Sequence, residues 1–298
     1  MLPHRVGRKL LWSPANIGPL LVKKQVISIH DLSTIEHPEW FTPQFSHWYS
    51  LLLPRLAREV ISITTMSEFT KSRIVDLWDI APEKIIVIPG GVGQRFRPVE
   101  KSPAMAKTLG MPCEHYFLAL GSLEPRKNLA RLLQAWGSIQ ASLPAEIWLV
   151  LAGAKGKANI FKEVGLISLP PRVHLLGYVH DDALRALYSG ALAFIYISTY
   201  EGFGLPPLEA MSCGTPVITS NTTSLPEVVG DAAWLVDPYD VEAIAHAIRQ
   251  LAENNGLRVQ LINKGLSRAS LFTWENCAKR TLQVLMESSK TGMAQTND

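Results

Sequence analysis

Cysteine is scarce: Cys113, Cys213 and Cys277 are the only three in 298 residues. They stand too far apart for a metal-ligand pair or a disulfide framework, which fits a reducing compartment and makes a cytoplasmic location the expectation. No uninterrupted apolar run approaches the ~20 residues of a membrane span. Arg5, Arg8 and Lys9 open the chain without the apolar core and cleavage site of a secretory signal. Charge of one sign is also lacking, because 29 Lys plus Arg against 26 Asp plus Glu leave only +3, too little for a general polyanion binder, and nucleic acid is not an expected partner. What is present is ordinary core-forming material, 47% hydrophobic and 18% charged. At roughly 150 residues per domain the length suggests two domains.

Apolar runs alternate with stretches of helical period, the pattern of parallel strands joined by crossover helices, so the chain reads as α/β. The spacing predicts strands at Lys9–Ser13, Gln25–Ile29, Val60–Thr64 and Lys84–Ile88. Helices are expected at about 43–58 and 67–79, the second N-capped by Ser67. A stretch rich in Pro, Gly and Lys from Pro89 to Pro112 reads as an interdomain connection and puts the boundary near residue 112. Strands are then expected near 116–121, 146–152, 172–177, 193–199, 216–220 and 233–236, a full doubly wound unit. Helical segments at about 240–254, 256–269 and 273–288 and a polar tail close the chain. The expected organisation is a Rossmann-like N-terminal unit with linker at 1–112, a second Rossmann-like unit at 113–272, and a C-terminal helix with frayed tail at 273–298. The first is incomplete, with about four strands and no βα unit carrying a Gly-rich turn ahead of them.

In an open parallel sheet, ligands collect where strand carboxyl ends meet helix N-termini, whose free N–H groups and dipole favour anions. Two junctions of the second unit have this form. In Phe117–Asn128 a strand passes through Gly121 and a short loop into a helix capped by Asn128, with Leu129, Leu132, Leu133 and Trp136 as its buried face. Arg126 and Lys127 stand just ahead of that helix, where their charge opposes the dipole unless an anion such as a diphosphate lies between. Solvated loop cations fit the same spacing. In Ala193–Met211 a buried strand enters a loop with Gly202 and Gly204, which let a ligand approach the backbone. Pro207 suits the first turn of a short helix that Gly214 ends. Glu201 at the strand end and Glu209 in that helix can face one crevice, and carboxylates accept well from the vicinal hydroxyls of a sugar or ribose. Dipole compensation by Glu209 and solvation of Glu201 remain open.

Glu201-Gly-Phe-Gly-Leu-Pro-Pro-Leu-Glu209 resembles the signature of the retaining glycosyltransferases of family 4, which have the GT-B fold of two facing Rossmann-like domains. Gly121-Ser-Leu-Glu-Pro-Arg-Lys-Asn-Leu129 resembles the family's diphosphate-binding loop, and Ser224-Leu-Pro-Glu-Val-Val-Gly230 the segment that follows. In the first part, Ile29-His30-Asp31-Leu32, Glu36–Phe41 and Thr65–Phe69 resemble the bacterial mannosyl- and rhamnosyltransferase-like subgroup, in which a strand-end His-Asp faces the donor sugar. His37, His47, His174 and His180 carry no such context. Against the family's pattern the chain starts after the first βα unit.

The resemblance implies transfer of a hexose from a nucleotide-diphosphate sugar, with GDP-mannose or dTDP-rhamnose as guesses, to a glycan or lipid-linked acceptor. Arg126 and Lys127, with backbone N–H groups near Gly202, Phe203, Gly204 and Leu205, would stabilise charge growing on the departing diphosphate. Glu201 would hold donor-sugar hydroxyls, Glu209 the ribose, Tyr178 and Val179 would flank the base, and His30 would support the sugar ring. No Asp-x-Asp occurs, and neither metal nor cofactor is expected. An inactive nucleotide-sugar-binding remnant and a GT-B sugar-nucleotide epimerase are the alternatives. Arg5, Arg8, Lys9, Lys23 and Lys24 could aid a peripheral contact with the inner membrane face, although a solvated face explains them as well.

Overall fold

A computed structural model describes residues 9–100, 110–121, 124–153 and 169–294. Arg5 and Arg8, residues 101–109 of the linker, Ser122 and Leu123, and the tail from 295 lie outside the described residues. Two compact units emerge: Met1–Gly91 with Glu201–Phe203 and Phe272–Asp298, and Val92–Tyr200 with Gly204–Leu271. The division thus falls at Gly91 rather than near 112, and the C-terminal helix is part of the first unit instead of a separate tail.

The first unit holds strands β1 (Leu11–Ser13), β2 (Gln25–Ser28), β3 (Ser62–Thr65) and β4 (Ile85–Val87), all parallel and in sequential order. A single turn α1 (Ser33–Glu36) follows β2; α2 (Pro43–Glu59) and α3 (Glu68–Trp78) make the crossovers. Ser67 caps α3 as expected, its hydroxyl accepting from the Thr70 N–H at 3.1 Å. Alternation along the strands sends Ile27 and Ile63 to one face, where Leu53, Leu56, Ile74 and Trp78 of the two helices cover them. Val26 and Ile88 lie in a second cluster with Val284, which belongs to the C-terminal helix, Trp274–Ala294. Arg280 of that helix donates to the Val87 carbonyl at 2.7 Å, tying it to the sheet.

Among the described residues the second unit contains six parallel strands: β5 (His115–Leu120), β6 (Ile147–Ala152), β7 (Val173–Gly177), β8 (Ala193–Tyr196), β9 (Val217–Ser220) and β10 (Trp234–Val236). Their spatial order is β10-β9-β8-β5-β6-β7. Its helices are α4 (Leu129–Ile139), α5 (Asp181–Gly190), α6 (Leu205–Ser212), α7 (Leu225–Val229), α8 (Val241–Glu253) and α9 (Asn255–Ala269), and the C-terminal helix is α10. Leu132, Leu133 and Trp136 of α4 and Ile244, Ile248 and Leu251 of α8 cover the buried Phe117, Leu149 and Ile195 of the sheet. Among the described residues no helix is long and apolar enough to cross a membrane.

Candidate active site

Strand order reverses between β5 and β8: the chain proceeds outward from β5 through β6 to β7, then returns beside β5 as β8 and proceeds the other way. That is the topological switch point, where a crevice opens beyond the strand carboxyl ends. Both chemistry-bearing junctions of the second unit start there, Gly121 after β5 and Ile197 after β8.

Pro125–Lys127 form one 3-10 turn, and a backbone bond joins the turn to the segment that follows β8. The Thr199 N–H donates to the Arg126 carbonyl at 2.9 Å. Beyond Tyr196, where β8 stops, the backbone has other partners than a neighbouring strand: the Ile197 carbonyl accepts from the Asn128 side chain and the Ser198 carbonyl from the Ser220 hydroxyl at 2.6 Å.

Asn128 corrects the expectation of a side-chain cap. It stands at the N-cap position of α4 but in the left-handed region, φ 58°, with no cap bond. Its amide instead donates to the Ile197 carbonyl at 3.2 Å and the Pro238 carbonyl at 2.6 Å, and its oxygen accepts from Arg131 at 3.0 Å. A buried amide group spent on two carbonyls beyond strand ends fixes the loop rather than capping the helix.

Neither cation of the turn is a solvated loop residue. The Lys127 ammonium donates to the Tyr196 hydroxyl at 2.6 Å and lies 4.8 Å from the centre of that ring. Arg126 donates through Nε to Glu124 at 2.8 Å, and Glu124 is itself buried. The Lys127 stem also runs along Gly121, where a Cβ would come within 3.1 Å of Lys127 Cγ. Gly121, Arg126 and Lys127 are therefore brought together, with Tyr196 and Glu124 as positioning partners.

In α6, Glu209 accepts from the Tyr188 hydroxyl at 3.2 Å. Tyr188 is fully enclosed, and burial, reinforced by the Glu209 charge, holds its phenol well above the ordinary value, so it stays a donor. Leu205 starts α6 and Gly204 precedes it at φ 120°, a conformation that only glycine adopts without strain. Tyr178 and Val179 follow β7, the first with 73% of its surface exposed, two strands away from β5.

The glycines correct a second expectation. Gly202 clusters with the first unit, and what approaches its backbone closely is the chain itself: a Cβ there would stand 2.0 Å from the His30 carbonyl oxygen. Its own carbonyl accepts from the Ser67 hydroxyl at 2.7 Å. At Gly204 a Cβ would meet Leu225 at 2.8 Å. Glu201 and Phe203 are buried, the phenyl ring edge-on to Phe272 at 5.9 Å. Glu201 belongs to the first compact unit and Glu209 to the second.

His30 stands two residues beyond the end of β2 and is exposed. Its Nε2 faces the Pro14 carbonyl at 2.9 Å, which requires the proton on that nitrogen, and its backbone N–H donates to Asn16 at 2.7 Å. It lines a cavity of about 470 Å³ in the first unit together with Trp12, Met66, Trp274, Leu282 and Leu285. Sequence reasoning missed Tyr188, Tyr196, Glu124 and Trp274. Only Tyr196 had a legible signal, as the sole hydroxyl in the apolar run Ala193–Ile197.

A family model described as glycosyl transferases group 1 matches residues 106–268. The chain is 35% identical over 269 residues to the O-antigen chain mannosyltransferase B of Escherichia coli, covering 89% of this chain and 70% of that protein. It is 29% identical over 286 residues to the serotype-specific mannosyltransferase WbdA of Escherichia coli, covering 91% of this chain but 35% of that one. Among solved structures, Anabaena Alr3699/HepE in complex with UDP-glucose superposes with TM-score 0.72 at 21% identity, over 88% of this chain and 72% of that one.

Proposed function

For a chain that belongs to the glycosyl transferases group 1 family, we propose retaining transfer of a hexose from a nucleotide-diphosphate sugar to a glycan or lipid-linked acceptor. The observation that carries the reading is the Lys127 ammonium, held by Tyr196 beside Gly121 at the switch point of the second sheet. A cation fixed there, with Arg126 in the same turn, is suited to an anion at the strand ends.

In this reading the diphosphate lies against Lys127 and Arg126, and Glu209, oriented by Tyr188, accepts from the ribose hydroxyls. Tyr178 and Val179 flank the base. As the glycosidic bond breaks, negative charge grows on the leaving diphosphate, and a pre-positioned ammonium stabilises it without reorganisation. Backbone N–H groups from Gly202 to Leu205 add to this. Glu201 holds donor-sugar hydroxyls and His30 supports the sugar ring; neither is assigned as a nucleophile. The chemistry is metal-independent. HepE is described in complex with UDP-glucose and two relatives as mannosyltransferases, which supports a nucleotide-sugar donor and favours mannose. GDP-mannose is the first donor to try, dTDP-rhamnose the second.

Thermal unfolding of the purified chain against nucleoside diphosphates and their sugars tests the donor pocket, since a ligand of the folded state raises the midpoint. A shift with one base, followed by transfer of labelled sugar, is expected. Free epimerised sugar nucleotide without acceptor would replace transferase by epimerase, and binding without turnover would mark an inactive remnant. A cooperative melt that no nucleotide shifts would overturn the reading.

A further inference from the structure

Ser67 and Thr70 do more at the start of α3 than begin a helix. An N-cap uses only the acceptor side of a hydroxyl, and Ser67 meets that need with the Thr70 N–H at 3.1 Å. Its proton is left over. The Gly202 carbonyl lies 2.7 Å from the Ser67 oxygen, 135 residues along the chain. The Thr70 hydroxyl stands 2.9 Å from Ser67 and 3.4 Å from the same carbonyl. One proton cannot serve two acceptors, so Ser67 donates to the nearer Gly202 carbonyl, and Thr70 donates to the second lone pair of Ser67 or to that carbonyl. Both residues are buried, Thr70 completely, so no solvent competes for these bonds.

Gly202 is held from another direction as well. The 2.0 Å that would separate its Cβ from the His30 carbonyl oxygen means that its backbone lies directly against that of residue 30. The chain after His30 is fixed to the same helix. Asp31 accepts from the Ser33 N–H at 2.9 Å at the entry to α1, and Arg73 of α3 donates to Glu36 of α1 at 2.8 Å. Thus α3 grips two segments, one carrying His30 and the other the buried Glu201. All of these residues belong to the first compact unit.

We propose that Ser67 and Thr70 are positioning residues: by fixing the Gly202 carbonyl they set Glu201 against His30 and so govern the fit of the donor sugar. The inference rests on the transferase reading, in which those two side chains meet the sugar. A helix cap alone needs neither the Ser67 proton nor the Thr70 hydroxyl. Hydrogen bonds to sugar hydroxyls weaken steeply with misalignment, so a loop displaced by about 1 Å loses them while contacts to the diphosphate persist.

The test compares the full wild-type chain with Ser67→Gly, Ser67→Thr and Thr70→Val. Each is titrated calorimetrically with GDP-mannose, dTDP-rhamnose and UDP-glucose, beside the matching nucleoside diphosphate. Glycine is a tolerated N-cap and valine is close to threonine in size, so the variants should fold, which their unfolding midpoints verify. For the donor that the wild type binds, the ratio of sugar-nucleotide to diphosphate affinity should fall about five- to ten-fold in Ser67→Gly and about three-fold in Thr70→Val, with diphosphate affinity unchanged. Ser67→Thr restores both cap and donor and should recover the wild-type ratio. An unchanged ratio in Ser67→Gly, or equal loss for diphosphate and sugar nucleotide, would overturn the proposal and leave Ser67 a helix cap. A wild-type chain that binds none of these nucleotides would overturn the donor reading itself, and this inference with it.

Discussion

Lys127→Ala separates diphosphate binding from structural support. The ammonium makes a charge-assisted bond to Tyr196 at 2.6 Å and stands 4.8 Å from its ring centre. Against a ligand phosphate a charged hydrogen bond contributes roughly 1.5–3 kcal/mol, so affinity for a nucleoside diphosphate should fall about 10- to 150-fold. Loss of the Tyr196 contacts should destabilise the second unit by only about 1–2 kcal/mol, since Lys127 is half-buried. Calorimetric titration with GDP, dTDP and the matching nucleosides resolves the two. The variant should lose the diphosphate increment and keep nucleoside affinity, while Tyr196→Phe should lose a smaller part of the same increment because the lysine remains but is less well aimed. Lys127→Ala with undiminished diphosphate affinity, or with equal loss for nucleoside and diphosphate, would refute the assignment.

Gly202→Ala forces a Cβ to within 2.0 Å of the His30 carbonyl, and overpacking of that degree should cost about 1–3 kcal/mol, read as a lower unfolding midpoint; an unchanged midpoint would show that the loop has room. Tyr188→Phe removes the hydroxyl on Glu209 and should weaken nucleoside binding rather than the diphosphate increment, the converse of Lys127→Ala in the same titrations. Turnover should be unchanged after exhaustive chelation with EDTA, and a loss restored by a divalent cation would contradict metal-independent chemistry. Burial pushes the Cys213 thiol from 9.0 up to about 12, so the stability it contributes is complete below pH 9 and falls by about 1.4 kcal/mol per pH unit as pH rises toward 12. Denaturant melts of Cys213→Ala should lack that part of the slope, and identical slopes would exclude it.

The fold was legible where burial on both faces of a sheet leaves uninterrupted apolar runs. His115–Leu120 and Ile147–Ala152 carry the register of the second sheet, and their ends fell within a residue or so of expectation. Ser67 was legible because an N-cap is a local device, read from one hydroxyl and the helix after it. The place of α10 was not. Its periodicity announces a helix, but nothing in 274–294 encodes that its apolar side closes over Val26 and Ile88, far earlier in the chain. Packing partners distant in sequence leave no periodic trace, and the linker's composition marked a boundary without marking which segments return across it.

At the candidate site the residue types were legible and their reasons were not. Glycine at 202 has two sequence-level explanations, approach of a ligand and approach of the chain, and only coordinates distinguish them; the His30 carbonyl 2.0 Å from a would-be Cβ decides for the chain. Asn128 shows the same ambiguity. An Asn before a helix is the sequence sign of a cap, yet at φ 58° its amide points to Ile197 and Pro238 and serves the loop. The two departures have one physical content. Residues that sequence reasoning would assign to a ligand, as at Gly202, or to a helix cap, as at Asn128, hold backbone in position, and the side chains proposed to meet an anion, Lys127 and Arg126, are those whose aim depends on that backbone. A conservative change at Asn128 should therefore act on the diphosphate increment through Lys127 and leave the helix intact, whereas a cap would behave in the opposite way.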